Sequence, residues 1–96
     1  MEIVKQGQIF DIKRKENPST GFTYFREELS NGLTLIRSLY IPKENLAEKQ
    51  LFGAPGIHLW RIKANKSGKQ TITLYFGQEW DKTTWTSENI IIYVEN

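Results

Sequence analysis

Apolar and polar positions alternate most clearly in the second half of the chain. His58, Trp60, Ile62 and Ala64 share one parity while Leu59, Arg61 and Lys63 take the other, which is the period of a half-buried strand. After the turn-forming stretch Asn65-Lys66-Ser67-Gly68 the pattern resumes, with Ile72, Leu74 and Phe76 on one face and Thr71, Thr73 and Tyr75 on the other. These two runs are expected to pair as an antiparallel hairpin. A closing strand sets Ile90, Ile92 and Val94 inward and Ile91 and Tyr93 outward.

Signals in the first half are shorter. Phe10 and Ile12 alternate in one strand, and Phe22, Tyr24 and Phe25 start another. Ser30-Asn31-Gly32 then turns the chain, and Asn-Gly before an apolar run is a hairpin cue. Leu33, Leu35, Leu39 and Ile41 keep odd parity up to Pro42, interrupted by Arg37. From Lys43 to Leu51 the apolar positions make too narrow a stripe for a helix, so a long polar connection is expected. About seven short strands at this spacing predict two antiparallel sheets packed face to face.

Composition supports the same class. Ile, Val and Thr number 21 against 3 Ala, and β-branched side chains suit a pleated surface better than a helix. A length of 96 residues fits a single domain spanning residues 1–96, and with no cysteine its stability must come from packing. The longest apolar run, Ile90 to Val94, is far below the roughly 20 residues of a membrane helix, so no membrane association is expected. The polar start Met1-Glu2-Ile3-Val4-Lys5-Gln6 shows no secretory signal, and a cytoplasmic location is the expectation. A net charge of +2, with basic residues scattered except for Lys13-Arg14-Lys15, argues against a nucleic-acid partner. That run, capped by Glu16, is expected to be a solvated strand end.

Three loops carry more than a turn requires. In Asn17-Pro18-Ser19-Thr20-Gly21, proline fixes one φ, glycine permits a positive one, and Ser19 and Thr20 can bond nearby backbone, so the loop is stiff. Leu51-Phe52-Gly53-Ala54-Pro55-Gly56-Ile57 sets small residues between large apolar ones, which allows another backbone to come close. Gly77 to Thr86 holds Trp80 and Trp85 in a polar segment. Trp80 is read as a binding anchor and Trp85 as packing on the core or at the sheet edge.

In this order the loops resemble those of the chagasin-like protein inhibitors of papain-type cysteine peptidases. Asn17-Pro18-Ser19-Thr20-Gly21-Phe22 is similar to the family's Asn-Pro-Thr-Thr-Gly followed by an aromatic. Phe52-Gly53-Ala54-Pro55-Gly56 is similar to its glycine-rich loop. Gln78-Glu79-Trp80 stands where the family has Arg-Pro-Trp, with only the tryptophan retained and an acid in place of a base. The resemblance implies an all-β, immunoglobulin-like antiparallel β-sandwich, with these three loops at one end wedging into the cleft of a papain-like cysteine peptidase. The first loop would sit over the catalytic cysteine, and Trp80 beside the catalytic histidine. It implies an inhibitor, not an enzyme; because the loops bring no reactive group, inhibition is expected to be reversible and competitive, by a monomer without cofactor.

The residues themselves offer little for other functions. His58 is the only histidine and reads as a structural side chain at the start of a strand. Glu79 and Asp81 flank Trp80 but read as solvated acids rather than a glycosidase pair. No metal-ligand cluster, phosphate loop or nucleophile constellation is legible. The alternative is a carbohydrate- or peptide-binding β-sandwich module, with Trp80 and Trp85 as a platform. Asn65-Lys66-Ser67 fits a glycosylation acceptor but reads as an ordinary turn.

Overall fold

A computed structural model describes residues 2–42 and 56–96, and in them the alternating runs become strands. They are β1 (Glu2–Lys5), β2 (Ile9–Glu16), β3 (Phe22–Leu29), β4 (Leu33–Ile41), β5 (Gly56–Ala64), β6 (Gly68–Gln78) and β7 (Thr86–Glu95). One sheet has the order β1-β7-β6-β3 and the other β2-β5-β4. Every pairing is antiparallel except β1 with β7, which run parallel with Ile3 beside Tyr93. The result is the expected immunoglobulin-like sandwich, its first strand added to the sheet of its last. Trp60, Ile62, Ile72, Leu74 and Ile92 are fully buried between the sheets, with Phe10, Ile12, Leu33, Ile90 and Val94 around them.

β5 and β6 do not form the hairpin expected from sequence. β5 lies between β2 and β4, while β6 lies between β7 and β3 in the opposite sheet. Ser30-Asn31-Gly32 likewise carries the chain from β3 in one sheet to β4 in the other, with the Leu33 N–H donating to the Ser30 carbonyl at 3.1 Å. A turn signal fixes where the chain reverses, whereas the partner is set by burial. β5 next to β2 places Ile62 beside Phe10 and Trp60 beside Ile12. The buried Gln70 anchors the crossing turn, its Oε1 accepting from the Ser30 hydroxyl at 2.7 Å and the Gly32 N–H at 3.1 Å.

The odd parity expected for Leu33 to Ile41 also breaks. A bulge shifts the β4–β5 register between Leu35 and Arg37, so Ile36 is the extra residue. Beyond it Ser38 and Tyr40 stand beside Trp60 and His58, while Leu39 and Ile41 stand beside Leu59 and Ile57 on the outer face. Leu59 is nonetheless buried, outside the central core cluster. A second bulge, between Tyr24 and Arg26 in β3, sets Phe25 apart from the ladder.

Of the basic run, Arg14 is not simply solvated. It forms a two-pronged pair with Glu88 of β7, at 3.1 and 2.7 Å, tying the two sheets together along one open side. The hydrogen bonds from Arg14 hold the Glu88 carboxyl below its ordinary value. A carboxylate lowered in the folded state stabilises above its unfolded-state value, and that contribution is lost as pH falls through the folded one. Glu88→Gln is therefore expected to cost no more than about 1 kcal/mol at neutral pH. It should also flatten the acid limb of a plot of melting temperature against pH. An unchanged acid limb would show that the pair contributes nothing.

Register brings the loop ends together. Glu16 pairs with Gly56 and Phe22 with Gln78, so β2 and β6 end, and β3 and β5 begin, at one pole of the sandwich. The polar connection expected from Lys43 to Leu51 lies outside the described residues.

Candidate functional site

The first loop, between β2 and β3, is a single 3-10 turn over Pro18–Thr20. Its fixed φ and missing N–H suit Pro18 to the first position of that turn. The Asn17 side chain accepts from the Ser19 N–H at 3.3 Å and the Ser19 hydroxyl at 2.7 Å. The Thr20 hydroxyl donates to the Asn17 carbonyl at 2.9 Å and accepts from the Phe22 N–H at 3.2 Å. Gly21 closes the turn at φ +81°, donating to the Pro18 carbonyl at 2.9 Å. Phe22 begins β3 with its ring 5.9 Å from that of Phe76. Side chains thus satisfy the backbone within the loop, and Pro18, Ser19 and Thr20 remain exposed.

The third loop, between β6 and β7, uses the same device. Asp81 accepts from the Thr83 N–H at 3.1 Å and the Thr83 hydroxyl at 2.6 Å, and the Thr84 hydroxyl donates to the Asp81 carbonyl at 2.7 Å. Asp81-Lys82-Thr83-Thr84 thus repeats the plan of Asn17-Pro18-Ser19-Thr20, an Asx side chain opening a 3-10 turn. The sequence carries the signal, an Asx residue three positions before a threonine in both loops, although Asp81 alone reads as a solvated acid.

The two turns hold the Gln78-Glu79-Trp80 segment between them. The Trp85 indole N–H donates to the Gln78 carbonyl at 2.9 Å and its ring packs 4.7 Å from Phe25, which leaves Trp85 half-buried at the sheet edge, as expected. Trp80 is the opposite case, 74% exposed. Its inner edge lies against Gly21, where an added Cβ would come within 2.6 Å of the indole, and Gln78 Nε2 reaches the Thr20 carbonyl at 3.4 Å. Thr20, Gly21, Gln78 and Trp80 therefore form one surface. Glu79 is exposed beside them.

Gly21→Ala is expected to cost about 1–2 kcal/mol of stability, since a positive φ strains any L side chain. It should also push the Trp80 ring off the first loop. Tryptophan emission and thermal melting would check both, and a wild-type spectrum would mean that the two loops do not touch.

Phe52, Gly53, Ala54 and Pro55 of the second loop lie outside the described residues. Gly56 is buried as the first residue of β5, and a Cβ there would strike the Ile41 carbonyl and the Tyr40 ring. Its small size serves close packing beside the pole.

Beneath the first loop runs a polar chain that sequence reasoning missed. Buried Glu16 accepts the Tyr24 N–H with one oxygen and faces His58 Nδ1 at 3.0 Å with the other. His58 Nε2 lies 2.8 Å from the Ser38 hydroxyl. These distances are those of a serine–histidine–acid relay. However, the Glu27 carboxylate stands 3.5 Å from the same hydroxyl and would oppose the negative charge of an attacking serine. His58 is buried and stacked on Trp60, centroids 4.1 Å apart, as befits the structural role expected for it. Strand parity could have found Glu16, which shares the even positions of Phe10 and Ile12.

A family model described as "Chagasin family peptidase inhibitor I42" matches residues 3–94. Chagasin of Trypanosoma cruzi is 22% identical over 97 residues, covering 96% of this chain and 84% of its own. The crystal structure of a cysteine protease inhibitor from Entamoeba histolytica superposes with a TM-score of 0.70 at 20% identity, over 98% of this chain and 87% of the other. The solution structure of amebosin superposes with a TM-score of 0.57, also at 20% identity, over 97% and 86%.

Proposed function

Given that the chain belongs to the chagasin family of peptidase inhibitors, we propose that it occupies the active-site cleft of papain-like cysteine peptidases, reversibly and in competition with substrate. The first loop enters the cleft and Trp80 rests on an apolar surface beside it. The observation that carries this reading is Trp80, a large aromatic side chain 74% exposed next to a loop that satisfies its own backbone. An exposed tryptophan on a rigid support gains contact area at little entropic cost, the property of an interface anchor.

Blockage then needs no chemistry from the inhibitor. Cleavage demands a carbonyl held in an attack geometry, and the Asn17 and Pro18 carbonyls are already engaged within the 3-10 turn. A rigid turn whose fixed carbonyls miss that geometry fills the site without being cut. A sugar platform of paired tryptophans is disfavoured, because Trp85 spends its N–H on Gln78 and its face on Phe25.

The test is titration of papain with the purified protein while a fluorogenic peptide is hydrolysed. Inhibition should be relieved by excess substrate, and the protein should be recovered intact. No inhibition, or cleavage between Asn17 and Gly21 at the rate of substrate turnover, would overturn the proposal.

A further inference from the structure

The first loop joins strands of different sheets, β2 of the three-stranded and β3 of the four-stranded one. Its internal hydrogen bonds fix its shape but not its tilt across the gap between them. That tilt matters because Trp80 stands on the four-stranded sheet alone, at the end of β6.

Glu16 spans this gap at the base of the loop. It is the last residue of β2, is 4% exposed, and accepts the backbone N–H of Tyr24 in β3. A carboxylate so enclosed needs partners for both oxygens, and its second one faces His58. His58 in turn is held at both nitrogens, on one face and at one edge. Its ring is stacked on Trp60 at 14°, Tyr24 meets it edge-on at 6.0 Å, and its far nitrogen is held by Ser38.

We propose that Glu16 and His58 are positioning residues for the first loop: the carboxylate ties the loop's two strands together, and the imidazole fixes the carboxylate in the orientation that does so. The role in inhibition rests on the function proposed above. His58 lies two residues after Gly56, so the same pair links the base of the first loop to the start of β5. Neither residue reaches the surface formed by Thr20, Gly21 and Trp80; they act through the loop's tilt.

The experiment uses Glu16→Leu, His58→Phe and the double variant, with inhibition of papain and amide exchange by NMR as readouts. Phenylalanine keeps a flat ring on Trp60 while removing the bond to Glu16. Each single change is expected to weaken inhibition about 10-fold by loosening a preorganised surface. The double variant should be within about 3-fold of either single one, since all three break the same link. Amides of Thr20, Gly21 and Tyr24 should exchange about 10-fold faster or more, with those of Ile72 and Ile92 unchanged. Glu16→Gln, which keeps an acceptor for Tyr24, should restore most of both properties.

Additive losses in the double variant would overturn the proposal, as would equal acceleration in loop and core, or wild-type inhibition by the single variants. Should the unaltered protein fail to inhibit papain, the inhibitory function falls separately. Unchanged loop exchange in both variants would then overturn the positioning role as well.

Discussion

Trp80→Ala is expected to weaken inhibition of papain by about 2–4 kcal/mol, roughly 30- to 1,000-fold, the range of a central aromatic hot spot. Stability should barely respond. The ring is 74% exposed, and the melting temperature is expected to stay within about 4 °C, the shift of an ordinary surface substitution. Trp85→Ala is the matched control. It removes a half-buried ring from Phe25 and a hydrogen bond to Gln78, so it should lower the melting temperature more and the affinity less. Measuring inhibition constant and melting temperature for both variants gives a crossed pattern if Trp80 is the anchor. The reverse pattern would assign the contact to Trp85 and remove the observation on which the proposed function stands.

The second large effect is expected at Thr20. Its hydroxyl links the Asn17 carbonyl to the Phe22 N–H, and the residue is exposed at the tip of the turn. Thr20→Ala should cost only about 1 kcal/mol of affinity, the value of a lost hydrogen bond. Thr20→Asp would bring a carboxylate against a catalytic thiolate, where like charge and desolvation act together, at a cost of at least about 3 kcal/mol. An aspartate can still accept the Phe22 N–H but cannot donate to Asn17, so a small loss of melting temperature is expected. Thr20→Asn separates the causes, having the same shape without the charge. If Thr20→Asp folds and inhibits like the unaltered protein, the first loop is not in the active site.

Where a strand lies was legible in the sequence, because alternation follows directly from the pleat. The closing strand shows this best, with Ile90, Ile92 and Val94 buried as expected. Which strands pair was not legible. Asn31-Gly32 and Ser67-Gly68 mark reversals, but both connections cross between sheets, and nothing local in a turn states which sheet receives the next strand. The face of Leu39 and Ile41 was misread for a related reason, since one extra residue at Ile36 inverts every position after it. At the pole, Trp80 stood out because an unburied tryptophan is unusual, and the Asn17 to Gly21 turn because proline and glycine constrain it. Glu16 was hidden by its neighbours. Beside Lys13-Arg14-Lys15 it looked like one more surface charge, and only the pairing of β2 with β5 brings His58 to it.

The two bulges have a consequence for how the molecule keeps to itself. β3 and β4 are edge strands, one in each sheet, and an edge of regular backbone is a template onto which another chain can add. Each carries its extra residue within the strand, at Phe25 and Ile36, so neither offers an unbroken row of donors and acceptors. Arg26 and Glu28 add exposed charge just past the first interruption. In a β-rich chain without disulfides, irregularity thereby guards these two edges, one of which exposes Ile36, against the addition of a further strand.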